Sequence, residues 1–200
     1  MVETTTKERI VTGALRLFAE RGFKGTAVTE IEAAAGLAPG SGGLYSHFKT
    51  KEAVLAAAIE HAVKLAEAGY TVMPLVPLGD LRAELTLVVR GSIVVMDNWR
   101  DLLRVLLREG EQFPEVMAQA REQMFDRAHR WFSEWLAMKA TVGEIVEVDF
   151  DAVAVLWLGA ATQHWTLTSL LNGAPIGVGE DRFVETWVSS LLAVLTPPAR

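Results

Sequence analysis

The sequence predicts an all-α protein, with a small N-terminal three-helix unit ahead of a larger helical domain, about nine helices in all. Three observations predict it. Apolar residues recur at three- and four-residue steps along most of the chain. Gly and Pro punctuate those stripes where helices should stop and start. Apart from a weak alternation over Glu144 to Phe150, no segment carries the period of a strand. Half of the 200 residues are hydrophobic and 22% are charged, so a packed core is expected rather than a disordered chain.

Residues 5–21 carry Ile10, Ala14, Leu17 and Phe18 on one helical face, and Gly22 stops that helix. Thr26 reads as the N-cap of a short helix to about Ala35, with Val28, Ile31 and Ala35 inward and Gly36 at its end. Ala38 to Gly43 reads as a turn into a second short helix with Leu44, Tyr45 and Phe48. Thr50 caps a longer helix from Lys51, with Val54, Leu55, Ala58 and Ala62 on one face. Pro74, Pro77 and Gly79 make residues 71–80 the clearest break. Leu81, Leu85, Val88, Ser92 and Met96 form the next stripe, and Trp99, Leu103, Val105 and Leu106 continue to Gly110. Pro114 opens a helix carrying Met117, Ala120, Met124, Ala128, Trp131 and Trp135, ended by Gly143. Asp149 or Asp151 starts a helix to about Asn172, and Asp181 starts the last, through Leu195 to Pro197 and Pro198. The boundaries follow: residues 1–50 as the first domain, 51–200 as the second, and 51–70 as a connecting helix.

Several chemistries are excluded. Without Cys there is no disulfide, zinc-thiolate site, iron–sulfur cluster or thiol catalysis. The four His show no Glu-x-x-His pair and no His-Glu-x-x-His motif, and Glu144, Glu147, Asp149 and Asp151 read as caps and solvated charge. No catalytic residue, metal site or cofactor is expected, so the chain does not read as an enzyme. Charged residues within the first ten break any secretory apolar core, and the longest apolar runs are about half a membrane span. A cytoplasmic protein without membrane contact is expected. The net charge is -6, yet residues 1–52 hold seven Lys/Arg against six Asp/Glu. Potential decays within about 10 Å at ordinary salt, so such a head can meet a polyanion despite the acidic remainder.

Three short helices, the last two joined by a turn, fit a helix-turn-helix unit, whose second helix presents its N-terminal end to the DNA major groove. The small, polar run Pro39 to Gly43 suits close backbone approach to phosphate. The stretch Arg9-Ile10, Ala14, Leu17-Phe18-Ala19-Glu20-Arg21-Gly22-Phe23, Thr26, Ile31, Ala34-Ala35-Gly36-Leu37 and Gly43-Leu44-Tyr45-Ser46-His47-Phe48-Lys49-Thr50-Lys51-Glu52-Ala53-Val54-Leu55 resembles the N-terminal domain of TetR-family regulators. The resemblance covers about residues 7–57. It implies a ligand-responsive transcriptional regulator. It departs from the usual pattern in a turn about two residues longer, a Pro-Gly-Ser-Gly-Gly variant. It also departs at Glu32, which stands where a small residue is common and is expected to face solvent.

The resemblance implies that Thr26 caps the second helix and touches phosphate, and that Ser41, Gly42 and Gly43 lie at the groove-facing start of the recognition helix. Tyr45, His47 and Lys51 would reach phosphates, while Leu44 and Phe48 pack the small core. For Thr26 a cap alone, for Tyr45 a packed aromatic and for His47 an exposed turn residue are the plain alternatives. Base readout usually uses Arg, Lys, Asn or Gln, and residues 38–47 contain none. Specificity is left to Ser41, His47, thymine-methyl contacts, Thr29 or DNA shape.

In the larger domain, Met96, Trp99, Leu103, Met117, Met124, Trp131, Trp135, Trp157 and His164 are candidates to line an effector pocket, with plain core as the alternative. His164 would bind a ligand's polar atom or a buried backbone group. Such a pocket favours a bulky, largely apolar molecule. Helices near 151–172 and 181–195 are apolar on more than one face, which calls for a second subunit, and the resemblance implies a four-helix homodimer contact. It further implies that ligand moves the helix from Lys51 and releases the dimer from a palindromic double-stranded operator. The competing reading is a helical ligand-binding or adaptor protein that no longer binds DNA.

Overall fold

The computed structural model describes residues 5–69 and 78–196. Its α-helices are α1 (Thr6–Arg21), α2 (Val28–Ala34), α3 (Lys51–Gly69), α4 (Leu81–Asn98), α5 (Arg100–Glu109), α6 (Pro114–Ala120), α7 (Arg127–Thr141), α8 (Phe150–Trp165) and α9 (Glu180–Leu195). A π-helical segment, Arg121–Asp126, lies between α6 and α7 in the chain. The described residues contain no strand. Pro74 and Pro77 of the expected break lie outside the described residues, while Gly79, at φ +71°, turns the chain toward α4.

Packing divides the chain into two compact units, Met1–Tyr70 with Trp99–Met124, and Thr71–Asn98 with Phe125–Arg200. The first therefore holds not only α1 to α3 but also α5 and α6. Its α1 begins with a capping box: Thr5 Oγ1 accepts the Glu8 N–H at 3.2 Å, and the Glu8 carboxylate accepts the Thr5 N–H at 2.7 Å. Ile10, Ala14, Leu17 and Phe18 are buried, as their spacing predicts, in the face that α3 and α5 cover.

Thr26 does not cap α2. The N-cap is Ala27, whose N–H goes to Glu30 Oε2 at 2.8 Å. Thr26 is buried because its hydroxyl turns back to donate to the Gly22 and Leu17 carbonyls, at 2.9 and 3.2 Å. The second short helix is a single 3₁₀ turn, Gly43–Ser46. Thr50 caps α3 as expected, accepting the Ala53 N–H at 3.1 Å.

In the second unit, α4 packs on α8 and α9, and α7 packs on α8. The helix expected to reach Asn172 leaves α geometry at Trp165 and passes through a π segment, Thr166–Leu170. Thr162, Thr166 and Thr168 each donate a hydroxyl to the carbonyl four residues back, a competing bond that distorts helices. Asp181 is not the cap of α9. That helix starts at Glu180 after Gly179, and both acids pair with Arg90 of α4. The weak alternation over 144–150 forms no strand: Ile145 is buried and the Val146 N–H joins the Leu195 carbonyl at 2.8 Å.

A buried ion cluster ties the start of α4 to the end of α7. Glu84 is fully buried, and its Oε1 accepts the Leu78 and Gly79 N–H groups at 2.7 and 3.1 Å. Lys139 Nζ lies 2.7 Å from both Glu84 Oε2 and Glu144 Oε2, and 5.5 Å from the Trp135 ring centre. Burial by itself would raise the Glu84 carboxyl, but Lys139 and the two amides hold it below its ordinary 4.5. Burial by itself would lower Lys139, but Glu144 and Glu84 hold it above 10.5. The depressed Glu84 stabilises the fold above pH 4.5, and that contribution is lost as pH falls through its lower folded value. The raised Lys139 stabilises below pH 10.5, and its share is lost as pH rises through its higher folded value. Urea unfolding should therefore show a stability plateau between these limits. Lys139→Met strands a buried carboxylate and should cost about 3–5 kcal/mol, while adding Glu84→Leu should recover most of that loss.

Candidate nucleic-acid interface and effector core

The candidate DNA-facing segment of the first unit runs from Ala38 to Phe48. Gly40 and Gly42 sit at φ +77° and +76°, and a Cβ at either would meet no atom within 4 Å, so glycine is required there by backbone conformation alone. Ser41 lies between them, exposed, and its hydroxyl donates to the Ala38 carbonyl at 2.7 Å. Gly43 opens the 3₁₀ turn, from which Tyr45, 56% exposed, and His47 project to solvent. Leu44 and Phe48 are buried beneath them. Thr29 is exposed on the first turn of α2.

Glu32 is the residue the sequence misplaces. It faces inward and is only 1% exposed. Its carboxylate accepts the Gly40 N–H at 2.7 Å and the Leu44 N–H at 3.2 Å. A buried acceptor needs donors, and the Gly40 and Leu44 amides supply them. Two amides that could face phosphate at the helix start are thereby committed inside the protein.

Lys51 also turns inward. Its ammonium donates to the Thr26 carbonyl at 2.8 Å and stands 4.3 Å from the centre of the Phe23 ring. Thr26 thus gives its hydroxyl and carbonyl to internal bonds. Its side chain is placed to hold the α1–α2 corner rather than to meet DNA.

Two residues at the end of α5, which helical periodicity does not single out, grip the same corner. Arg108 donates to the Ala19 and Glu20 carbonyls at 3.0 and 3.4 Å. Glu109, 9% exposed, accepts the Phe23 N–H at 2.9 Å and the Gln112 side-chain amide at 3.1 Å. A cation on helix-terminal carbonyls and a carboxylate on a turn amide are each charge-assisted bonds. The available sequence signal is a charged pair, Arg-Glu, interrupting the apolar run of α5 just before Gly110.

The nine candidate effector residues divide between the units: Trp99, Leu103, Met117 and Met124 in the first, and Met96, Trp131, Trp135, Trp157 and His164 in the second. Trp99, Leu103 and Met124 are buried, and Met117 packs with Ile59, Val105, Leu106 and Phe113. In the second unit Met96 is buried on α4, while Trp131 and Trp135 stack with centroids 6.4 Å apart. Phe132 lies 5.9 Å from Trp135 and 6.2 Å from Trp187, extending the aromatic cluster to α9. The buried Trp135 Nε1–H has no hydrogen-bond partner among the described residues. His164 takes the second of its two expected roles: Nε2 donates to the Val178 carbonyl at 3.0 Å, and the ring stacks on Phe183 at 4.2 Å. Trp157 lines a shallow apolar groove of about 320 Å³ between α8 and α9, with Leu156, Ala160, Phe183 and Trp187.

A sequence profile of bacterial regulatory proteins of the tetR family matches residues 10–58. The match takes in α1, α2, the Gly40–Gly42 turn and the first turns of α3. Over those residues the chain resembles the TetR family. The chain is 44% identical over 57 residues to an uncharacterised helix-turn-helix transcriptional regulator, YerO, of Bacillus subtilis, a match spanning 28% of this chain and 19% of that protein. The whole fold is also shared. A TetR-family regulator structure from Mesorhizobium loti superposes with a TM-score of 0.73 at 19% identity, covering 96% of this chain and 97% of that one. A regulator from Saccharomonospora viridis in complex with choline gives 0.75 at 18% identity, covering 98% and 100%. AibR in complex with isovaleryl coenzyme A and operator DNA gives 0.64 at 21% identity, covering 98% and 100%. Among the described residues no helix is long and apolar enough to cross a membrane.

Thr26→Val separates the two roles considered for that residue. Loss of the doubly shared hydroxyl should lower unfolding stability by about 1–2 kcal/mol. DNA affinity of the folded variant should stay unchanged in a binding titration. A tenfold loss, about 1.4 kcal/mol, would restore Thr26 as a phosphate contact.

Proposed function

We propose that this protein is a ligand-responsive transcriptional regulator that binds a palindromic operator as a homodimer and is released by a bulky, largely apolar molecule. One observation carries the reading: a TetR-family head whose turn exposes Ser41, Gly42, Tyr45 and His47 together, above a core closed by Leu44 and Phe48. Small residues admit the DNA backbone closely, and the exposed phenol and imidazole supply phosphate-length donors. Gly43 starts the groove-facing turn, and Thr29 and Ser41 are the polar groups left to read base edges. Lys51 contributes through Thr26 and Phe23, fixing the head on α3.

Homodimerisation is supported by the outer face of α8, where Val155 and Leu156 are 59% and 63% exposed beside Gly159 and Ala160. Adjacent apolar residues on a soluble chain call for a partner, and small residues let helices approach closely. An effector is supported by the aromatic cluster of α7 and α9 with its unpaired Trp135 N–H. Two proteins of the same fold were solved with isovaleryl coenzyme A and with choline. Only Trp99 separates α4 from α5 in the chain, and α5 carries the Arg108 and Glu109 that grip the α1–α2 corner. Effector and operator then oppose each other by a coupling on the order of 1–3 kcal/mol. The working compartment is the cytoplasm, where the operator lies.

Selection of the purified protein on random duplex DNA tests this reading. It should enrich an inverted repeat whose halves are about one helical turn apart. A folded dimer that enriches nothing would favour the adaptor reading instead. On the selected operator, Tyr45→Phe and His47→Ala should weaken all sequences about equally, as lost phosphate contacts do. Ser41→Ala or Thr29→Ala should instead relax the preference at individual base pairs, by about 1–3 kcal/mol each.

A further inference from the structure

We infer that Glu32 is a positioning residue for DNA recognition: its buried carboxylate is the template on which the longer reading turn is folded. The inference rests on the DNA-binding reading above and adds a residue that itself faces away from DNA.

The turn has little else to hold it. Its glycines at 40 and 42 have no side chains, Ser41 bonds only within the turn, and no apolar side chain between Ala38 and Gly43 is buried. Two left-handed glycines leave a loop with wide conformational freedom unless its amides are fixed. Glu32 fixes them from below. One carboxylate oxygen takes the amide at the start of the turn, Gly40, and the other takes the amide just past its end, Leu44. The amides on either side of Ser41, Gly42 and Gly43 are thereby both tied to α2.

The side chain's geometry is matched to that task. Only a carboxylate offers two acceptor oxygens and no donor. Glutamine has the same shape but would aim an NH₂ at one of the two amides, leaving that amide unpaired and buried. Aspartate is one methylene too short to span both. Because Glu32 carries negative charge near the phosphate-facing end, removing it should by itself favour DNA of any sequence. A positioning role and a charge role therefore predict opposite signs.

The test measures affinity for the selected operator and for scrambled duplex at equal salt, in wild type, Glu32→Gln, Glu32→Ala and Gly42→Ala. Thermal unfolding and dimer mass check that each variant is intact. For both Glu32 variants the operator-to-scrambled affinity ratio should fall about 10–100-fold, while scrambled affinity stays level or rises. Gly42→Ala, which strains the turn without touching Glu32, should lose the ratio in the same way. Amide exchange in wild type should show Gly40 and Leu44 protected well beyond Ser41. The inference is overturned by folded Glu32 variants that keep the ratio, by variants that gain operator and scrambled affinity alike, or by rapid exchange at Gly40 and Leu44. Failure of the wild type to enrich any operator would instead overturn the DNA-binding reading on which this rests.

Discussion

The corner between α1 and α2 is held from four sides, and the orientation of the reading head depends on it. The hydroxyl of Thr26 ties it to the last turns of α1. Lys51, from the first turn of α3, binds its carbonyl. Arg108 covers the α1 carbonyls of Ala19 and Glu20, and Glu109 takes the Phe23 amide. Arg108 satisfies carbonyls that the end of α1 leaves open, while Lys51 and Glu109 satisfy backbone groups of the turn between α1 and α2. Lys51 brings in α3, and Arg108 and Glu109 both bring in α5, so these two helices meet the head through backbone groups of the corner. Moving either helix must break or carry that corner, because a half-buried carbonyl or amide left without a partner is costly.

This arrangement gives Lys51 a different part from the one its place in the sequence suggests. A cation in the first turn of a helix opposes the helix dipole and needs a counterpart. The counterpart here is the Thr26 carbonyl together with the Phe23 ring, both inside the protein. The head is thus built around internal acceptors, while Thr29, Ser41, Tyr45 and His47 stay exposed.

What the sequence made legible was everything set by local periodicity. The stripe Ile10, Ala14, Leu17 and Phe18 is buried, Thr50 caps α3, Pro114 opens α6, and Leu44 and Phe48 close the small core. What it hid were polar residues whose partners lie far along the chain. Thr26 reads as a cap by spacing, and only the tertiary position of Gly22 and Leu17 turns its hydroxyl backward. Glu32 reads as a solvated charge on a short helix, because the amides that bury it belong to a turn eight to twelve residues later. Glu109 and Phe23 stand 86 positions apart, beyond any periodic pattern. The same limit applies to the aromatic residues of the larger domain. Helical spacing gathers Trp131 and Trp135 on one face, but Trp187 joins them only through the packing of α9.

In the proposed regulator, the α1–α2 corner carries the state of the head to the end of α5. Amide hydrogen exchange on the intact protein, with and without its selected operator, tests it most directly. Operator binding should slow exchange at Phe23 and also at residues 105–113 of the α5 end and the turn after it, which lie outside the proposed DNA-facing segment. Protection confined to residues 26–51, with unchanged exchange at the end of α5, would contradict the claim.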